Sequence, residues 1–143
     1  MNDSYSIETY PNKLRLLAIS IFLLGIYSLF TQGLSDLFGV FICVFCGGTL
    51  YCSLEKKIAK FNNNDRILEI STYSVFRKSK LQIQLNDITK LEVVKGLGST
   101  GGFWFIKVSE EEESYSITSL GALSKKLLDL ELTKINQYLC RNT

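Results

Sequence analysis

"LLAISIFLLGIYSLFTQGLSDLFGVFICVFCGGTLYCSL", residues 16–54, decides how this chain is built. Of the 16 Lys plus Arg and 14 Asp plus Glu in the 143 residues, only Asp36 falls between Arg15 and Glu55. Leu16–Phe30 is uncharged throughout, and Leu37–Leu54 is a second apolar run. With Leu14 and the stem of Arg15 the first run spans about 17 residues and the second about 18, where a helix needs roughly 20 to cross a hydrocarbon core of about 30 Å. Neither run has a polar face that could meet water. They read as a two-helix transmembrane hairpin over residues 14–54, between an N-terminal tail (1–13) and a folded part (55–143).

Two other readings compete: a buried helical hairpin in a soluble protein, and a signal peptide. A signal peptide needs small residues at a cleavage site after its apolar region. Here a six-residue loop, "TQGLSD", leads straight into a second apolar run.

Flanking charge sets the orientation. Lys13 and Arg15 precede the first run, Lys56, Lys57 and Lys60 follow the second, and the connecting loop has no positive charge. The positive-inside rule therefore places both termini on the cytoplasmic side, or on the stromal side of a photosynthetic membrane. Cysteine usage agrees with a reducing compartment. Cys43, Cys46 and Cys52 lie inside the second run and Cys140 near the end. The C-x-x-C of Cys43 and Cys46 has no further ligands beside it, the chain has no histidine, and an apolar helix in lipid disfavours a thiolate. These cysteines read as small packing residues. Together with Gly47 and Gly48 they give the second helix a side suited to close helix contact.

After Glu55 the pattern becomes short and alternating. "KIAKF" precedes the turn signal "NNND", then come "RILEIST" and "YSVFRKSK", read as a strand that ends in a basic turn. "LQIQL" puts Leu81, Ile83 and Leu85 on one face and Gln82 and Gln84 on the other. "ITKLEVV", "FWFIKVS" and "SYSIT" complete about seven short strands, which reads as an antiparallel sheet curled into a barrel or sandwich. In the last segment, Leu128, Leu132, Ile135 and Leu139 form the stripe of an amphipathic helix that can cap an open barrel end.

"GLGSTGG" contains G-x-G-x-x-G at Gly96, Gly98 and Gly101, beside Lys95. A phosphate-binding loop of this kind opens into a helix whose N-terminus faces the anion. Here an aromatic strand pattern follows, so the stretch reads as a hairpin connection and no nucleotide is expected. No catalytic constellation stands out either: the commonest general base is missing, and the acidic tip Glu110–Glu113 lacks the loop spacing of a calcium hand. The reading is of a protein that is not an enzyme, with no cofactor and no metal. From Glu55 onward there are 14 Lys plus Arg against 11 Asp plus Glu, too slight an excess for a nucleic-acid footprint.

Seven short strands closed by one C-terminal amphipathic helix resemble the pleckstrin-homology superfold, so the fold class expected is a membrane helical hairpin plus an α+β, PH-like barrel. Within that plan, "KFNNNDRILEISTYSVFRKSKLQIQLNDITKLEVVKG" (Lys60–Gly96) is similar to the corresponding part of the photosystem I assembly factor family of cyanobacteria and chloroplasts. The resemblance rests on a phenylalanine strand just after the membrane, the pair Asp87 and Ile88, the strand end Val94, Lys95 and Gly96, and "SIT" followed by a charged helix ending in "YLCR". This chain is shorter, with a tighter loop between the spans. The resemblance implies a thylakoid or plasma membrane location and a role in photosystem assembly, with photosystem I subunits as protein partners.

The function expected is a non-catalytic, membrane-anchored scaffold that binds a subunit of a membrane complex. Its candidate contact residues are Trp104, if its ring lies exposed, and the basic stretch Arg77, Lys78 and Lys80, with Lys56 and Lys57 next to the membrane. An open strand edge is a further place for a partner to pair. One alternative is a sensor of anionic membrane lipids reading headgroups through Arg77, Lys78 and Lys80. Another is an accessory subunit of a transporter or respiratory complex.

Overall fold

A computed structural model describes residues 4–32, 37–96, 103–110, 113–120 and 122–140. The chain is α+β. In order it forms β1 (Ser4–Thr9), α1 (Asn12–Gln32), α2 (Leu37–Ser53), β2 (Lys56–Asn62), β3 (Ile67–Tyr73), β4 (Lys78–Gln84), β5 (Ile88–Lys95), β6 (Trp104–Glu110), β7 (Glu113–Ser116) and α3 (Lys125–Cys140). It divides into two compact units, one of Met1–Pro11, Glu55–Tyr73 and Arg77–Thr143, the other of Asn12–Leu54 and Ser74–Phe76.

The first unit contains two antiparallel sheets, β1-β2-β3-β4 and β5-β6-β7. Their strands follow the alternation in the sequence: Ala59 and Phe61 of β2, Leu68 and Ile70 of β3, Ile83 of β4, and Ile106 and Val108 of β6 are buried together. Leu128 and Ile135 of α3 complete that core, with Leu132 and Leu139 packed beside them. The helical stripe seen in the sequence is therefore the buried one.

Three features differ from the sequence expectation. The segment 1–13, expected as a tail, contains β1, which pairs with β2 from Ser4 opposite Asn62 to Thr9 opposite Lys57. In "SYSIET" the residues Tyr5, Ile7 and Thr9 turn inward and Ser4, Ser6 and Glu8 outward, and the Tyr5 hydroxyl donates to Glu131 of α3 at 2.7 Å. Second, the stretch "YSVFRKSK" is not one strand: the chain turns at 74–77, and Lys78 and Lys80 belong to β4. Third, the seven strands do not close into a barrel. Strands β4 and β5 are joined by a single 3-10 turn, Leu85–Asp87, and belong to different sheets.

Where a closed barrel would need a strand pair, β1 is tied to the segment after β7 by buried side chains. The Ser119 amide donates to Thr9 Oγ1 at 2.7 Å. The Ser119 hydroxyl accepts from the Lys57 amide at 3.1 Å and lies 2.9 Å from the Thr9 carbonyl and 2.7 Å from the Glu55 carbonyl, either of which its single proton can serve. Both Thr9 and Ser119 are buried. Substituting Ser119→Ala leaves the Lys57 amide and a carbonyl without a partner and should cost about 1–3 kcal/mol, read as a lower thermal-unfolding midpoint of the full chain in mild detergent.

In the second unit, α1 and α2 pack antiparallel. A methyl on Gly25 would come within 2.9 Å of Cys43 Cβ, and one on Gly47 within 2.8 Å of the Phe22 amide nitrogen and 3.0 Å of the Ala18 carbonyl. Near the open end of the pair, the Arg15 guanidinium lies 6.0 Å from the centre of the Tyr51 ring. Gly48 has nothing within reach and lines an apolar groove of about 280 Å³ with Ala18, Ile19, Phe22, Gly47, Tyr51 and Cys52. Of the two glycines expected to mediate packing, Gly47 does so and Gly48 faces open space; Gly25 is the second contact. Gly47→Ala pushes on backbone that cannot give and should destabilise the hairpin by about 1–3 kcal/mol. Gly48→Ala should leave the midpoint unchanged or slightly raised, because alanine is the better helix former.

Among the described residues one helix is long and apolar enough to cross a membrane, the window Asn12–Thr31, of which 11% is buried. Helix α2 is a shorter apolar helix, Leu37–Ser53.

Candidate functional site

The sheet β1-β2-β3-β4 has an outer face, away from the core, on which Glu8, Lys56, Glu69, Tyr73, Lys78, Lys80 and Gln82 stand. Register puts Lys56 and Lys78 on either side of Tyr73. The Lys56 ammonium lies 4.4 Å from the centre of the Tyr10 ring and 5.9 Å from that of Tyr73, and the Lys78 ammonium 5.1 Å from Tyr73. Lys56 also pairs with the Glu8 carboxylate, to which the Tyr10 hydroxyl donates. These bonds hold the Glu8 carboxyl below its ordinary range and the Lys56 ammonium above its own. Lysines and tyrosines thus interleave at one end of the sheet.

That arrangement brings two of the sequence candidates, Lys56 and Lys78, to one place, and Arg77 precedes Lys78 directly. Lys80 stands one pleat further along. Its ammonium pairs with Glu69 at 2.7 Å, and the Glu69 carboxyl is lowered chiefly by that bond. Lys57 is not on this surface at all. Alternation turns it inward, and its ammonium donates to the Ser116 carbonyl at 3.0 Å.

Trp104 lies elsewhere. In β6 it packs against the core, half-buried, with the Lys125 ammonium 4.8 Å from its ring centre. Its ring is thus a covered one rather than an open contact surface. Gly96 belongs to the connection between β5 and β6, where its amide donates to the Phe103 carbonyl at 2.7 Å. Lys95 stands opposite Trp104 in the same antiparallel pair, so the glycine stretch joins two hairpin strands. Gly98 and Gly101 lie outside the described residues, as do Glu111 and Glu112 of the acidic tip. Among the described residues no three His, Cys, Asp or Glu side chains gather as a metal site would need.

Sequence reasoning missed Tyr10, Tyr73 and Glu8, which complete the lysine cluster, and the turn residues Val75 and Phe76. Phe76 is 83% exposed and Val75 52%. The available signal was the run "YSVFRK", in which a large aromatic sits where turns favour small polar residues.

Neither a protein-family model nor a curated protein matches the chain.

The inward lysine provides a pH test. Burial lowers the Lys57 pKa, opposed only by Glu55. With the folded value below the unfolded one, the unfolded chain binds more protons between the two, so stability rises with pH through that window. Below the folded pKa the burial penalty is constant. Lysine-selective NMR of the full chain in micelles should show the Lys57 side chain titrating at lower pH in the folded chain than after unfolding; an unchanged midpoint would contradict its burial.

Proposed function

We propose that this chain is a non-catalytic membrane-anchored module whose sheet-containing unit binds a protein subunit of a membrane complex at the membrane face. The observation that carries the reading is the insertion of the apolar helical hairpin between two strands that pair with each other. Chain leaves β1 at Thr9 for α1 at Asn12, and returns from α2 at Ser53 to β2 at Lys56, with Thr9 and Lys57 opposite one another. Two residues make each connection.

On this reading α1 and α2 both span, α2 at the short end of the usable range, and both termini lie on the cytoplasmic or stromal side because the basic residues flank that end. The strand number, antiparallel pairing and C-terminal helix support a PH-like plan in an open form. The edge strands β1, β4, β5 and β7 offer backbone groups for a partner's strand. The resemblance to photosystem I assembly factors makes that complex the first to test.

The experiment is affinity purification of the tagged full chain from its native membrane in mild detergent, with quantitative mass spectrometry. Substoichiometric membrane-complex subunits that stay bound at high salt are the expected result. Stoichiometric, permanent association would instead mark an accessory subunit of a transporter or respiratory complex, and a chain recovered without any protein partner would contradict the reading.

A further inference from the structure

The turn between β3 and β4 presents Val75 and Phe76 to solvent, Phe76 at 83% exposure. Residues 73–80, "YSVFRKSK", carry three positive charges and no negative one. The sheet register fixes where this turn emerges. Tyr73 stands opposite both Lys56 and Lys78, and Lys57 stands opposite Thr9. The turn therefore leaves the sheet at the same end from which the chain runs into α1 and to which it returns from α2. With neighbouring strands about 4.8 Å apart, the ends of β1 to β4 fall within roughly 15 Å of each other.

The same end holds the cluster of Tyr10, Lys56, Tyr73 and Lys78, each ammonium within 6 Å of a phenol ring. Tyrosine rings and long-stemmed cations are the side chains that suit the boundary between hydrocarbon and water, because each has an apolar body and a polar tip. An exposed aromatic flanked by cations adds a group for the acyl boundary and charges for the phosphates.

We propose that this end of the sheet seats on an anionic bilayer surface, with Phe76 and Val75 entering the headgroup region and Arg77 and Lys78 meeting lipid phosphates. The proposal rests on the reading of the helical hairpin as membrane-spanning. It adds a second attachment, one that fixes the sheet end against the bilayer instead of leaving it to swing on its links. A bilayer suits this surface better than a protein partner does, because the chain passes to its apolar helices from the same end within two residues.

The test places a reporter indole in the turn. Full-length chain bearing Trp104→Phe and Phe76→Trp is reconstituted in nanodiscs of phosphatidylglycerol with phosphatidylcholine brominated at carbons six and seven. A second chain bears Trp104→Phe and Phe22→Trp, which reports on α1. If Trp104→Phe impairs folding, the same quenching is read as an increment over wild-type Trp104. The expected result is fluorescence at position 76 reduced about twofold by the bromolipid, and relieved by Arg77→Glu with Lys78→Glu or by high salt. Quenching at position 22 without quenching at position 76 would overturn the seat while leaving the membrane-spanning reading intact. Quenching at neither position would overturn both.

Discussion

Strand β1 pairs with β2 along its full length, and that pairing constrains everything inserted between them. The antiparallel ladder brings Thr9 and Lys57 opposite each other, so the 12–54 segment must begin and end at one point. An ordinary connection at such a point is a turn of two to five residues. Two apolar helices solve the same problem by running out and back, and the glycines at their crossing allow the close approach that keeps the pair together. The buried Ser119 and Thr9 reinforce the junction, joining β1, the start of β2 and the segment after β7 through one hydroxyl and one amide.

The same junction separates neighbouring lysines into different roles. Lys56 faces out, pairs with Glu8 and lies over two tyrosine rings. Lys57 faces in and gives its ammonium to a backbone carbonyl. Strand periodicity alone decides this: adjacent residues point to opposite faces. Charge counted along the sequence treats both alike, whereas only Lys56 stands on the outer face of the sheet.

Much of the architecture was legible in the chain. The apolar runs, the strands of the folded part and the α3 stripe all followed from hydrophobic period, because burial of one face dictates that period. What escaped was of two kinds. Strand β1 was too short and polar to stand out before an apolar run; its Tyr5, Ile7 and Thr9 alternation is meaningful only beside β2. Barrel closure escaped because it depends on whether β4 and β5 pair, which the turn residues Asn86 and Asp87 between them do not decide. The candidate surface was half legible. Cations announced themselves, but the tyrosines interleaved with them, and the inward turn of Lys57, depend on register across strands that sequence spacing does not specify. Trp104 was a rare aromatic in the sequence and a packed side chain under Lys125 in the structure, since alternation in β6 put it on the core side with Ile106 and Val108.

The central claim is that the inserted hairpin crosses the membrane and returns. Membrane-impermeant maleimide labelling tests it most directly, using intact spheroplasts that express the full chain with Cys43, Cys46 and Cys52 replaced by alanine. A cysteine introduced by Gln32→Cys, at the end of α1, reports on the loop side, and native Cys140 reports on the far side. The account predicts labelling of the loop position in intact cells and of Cys140 only after permeabilisation. Equal accessibility of the two positions from one side would contradict it.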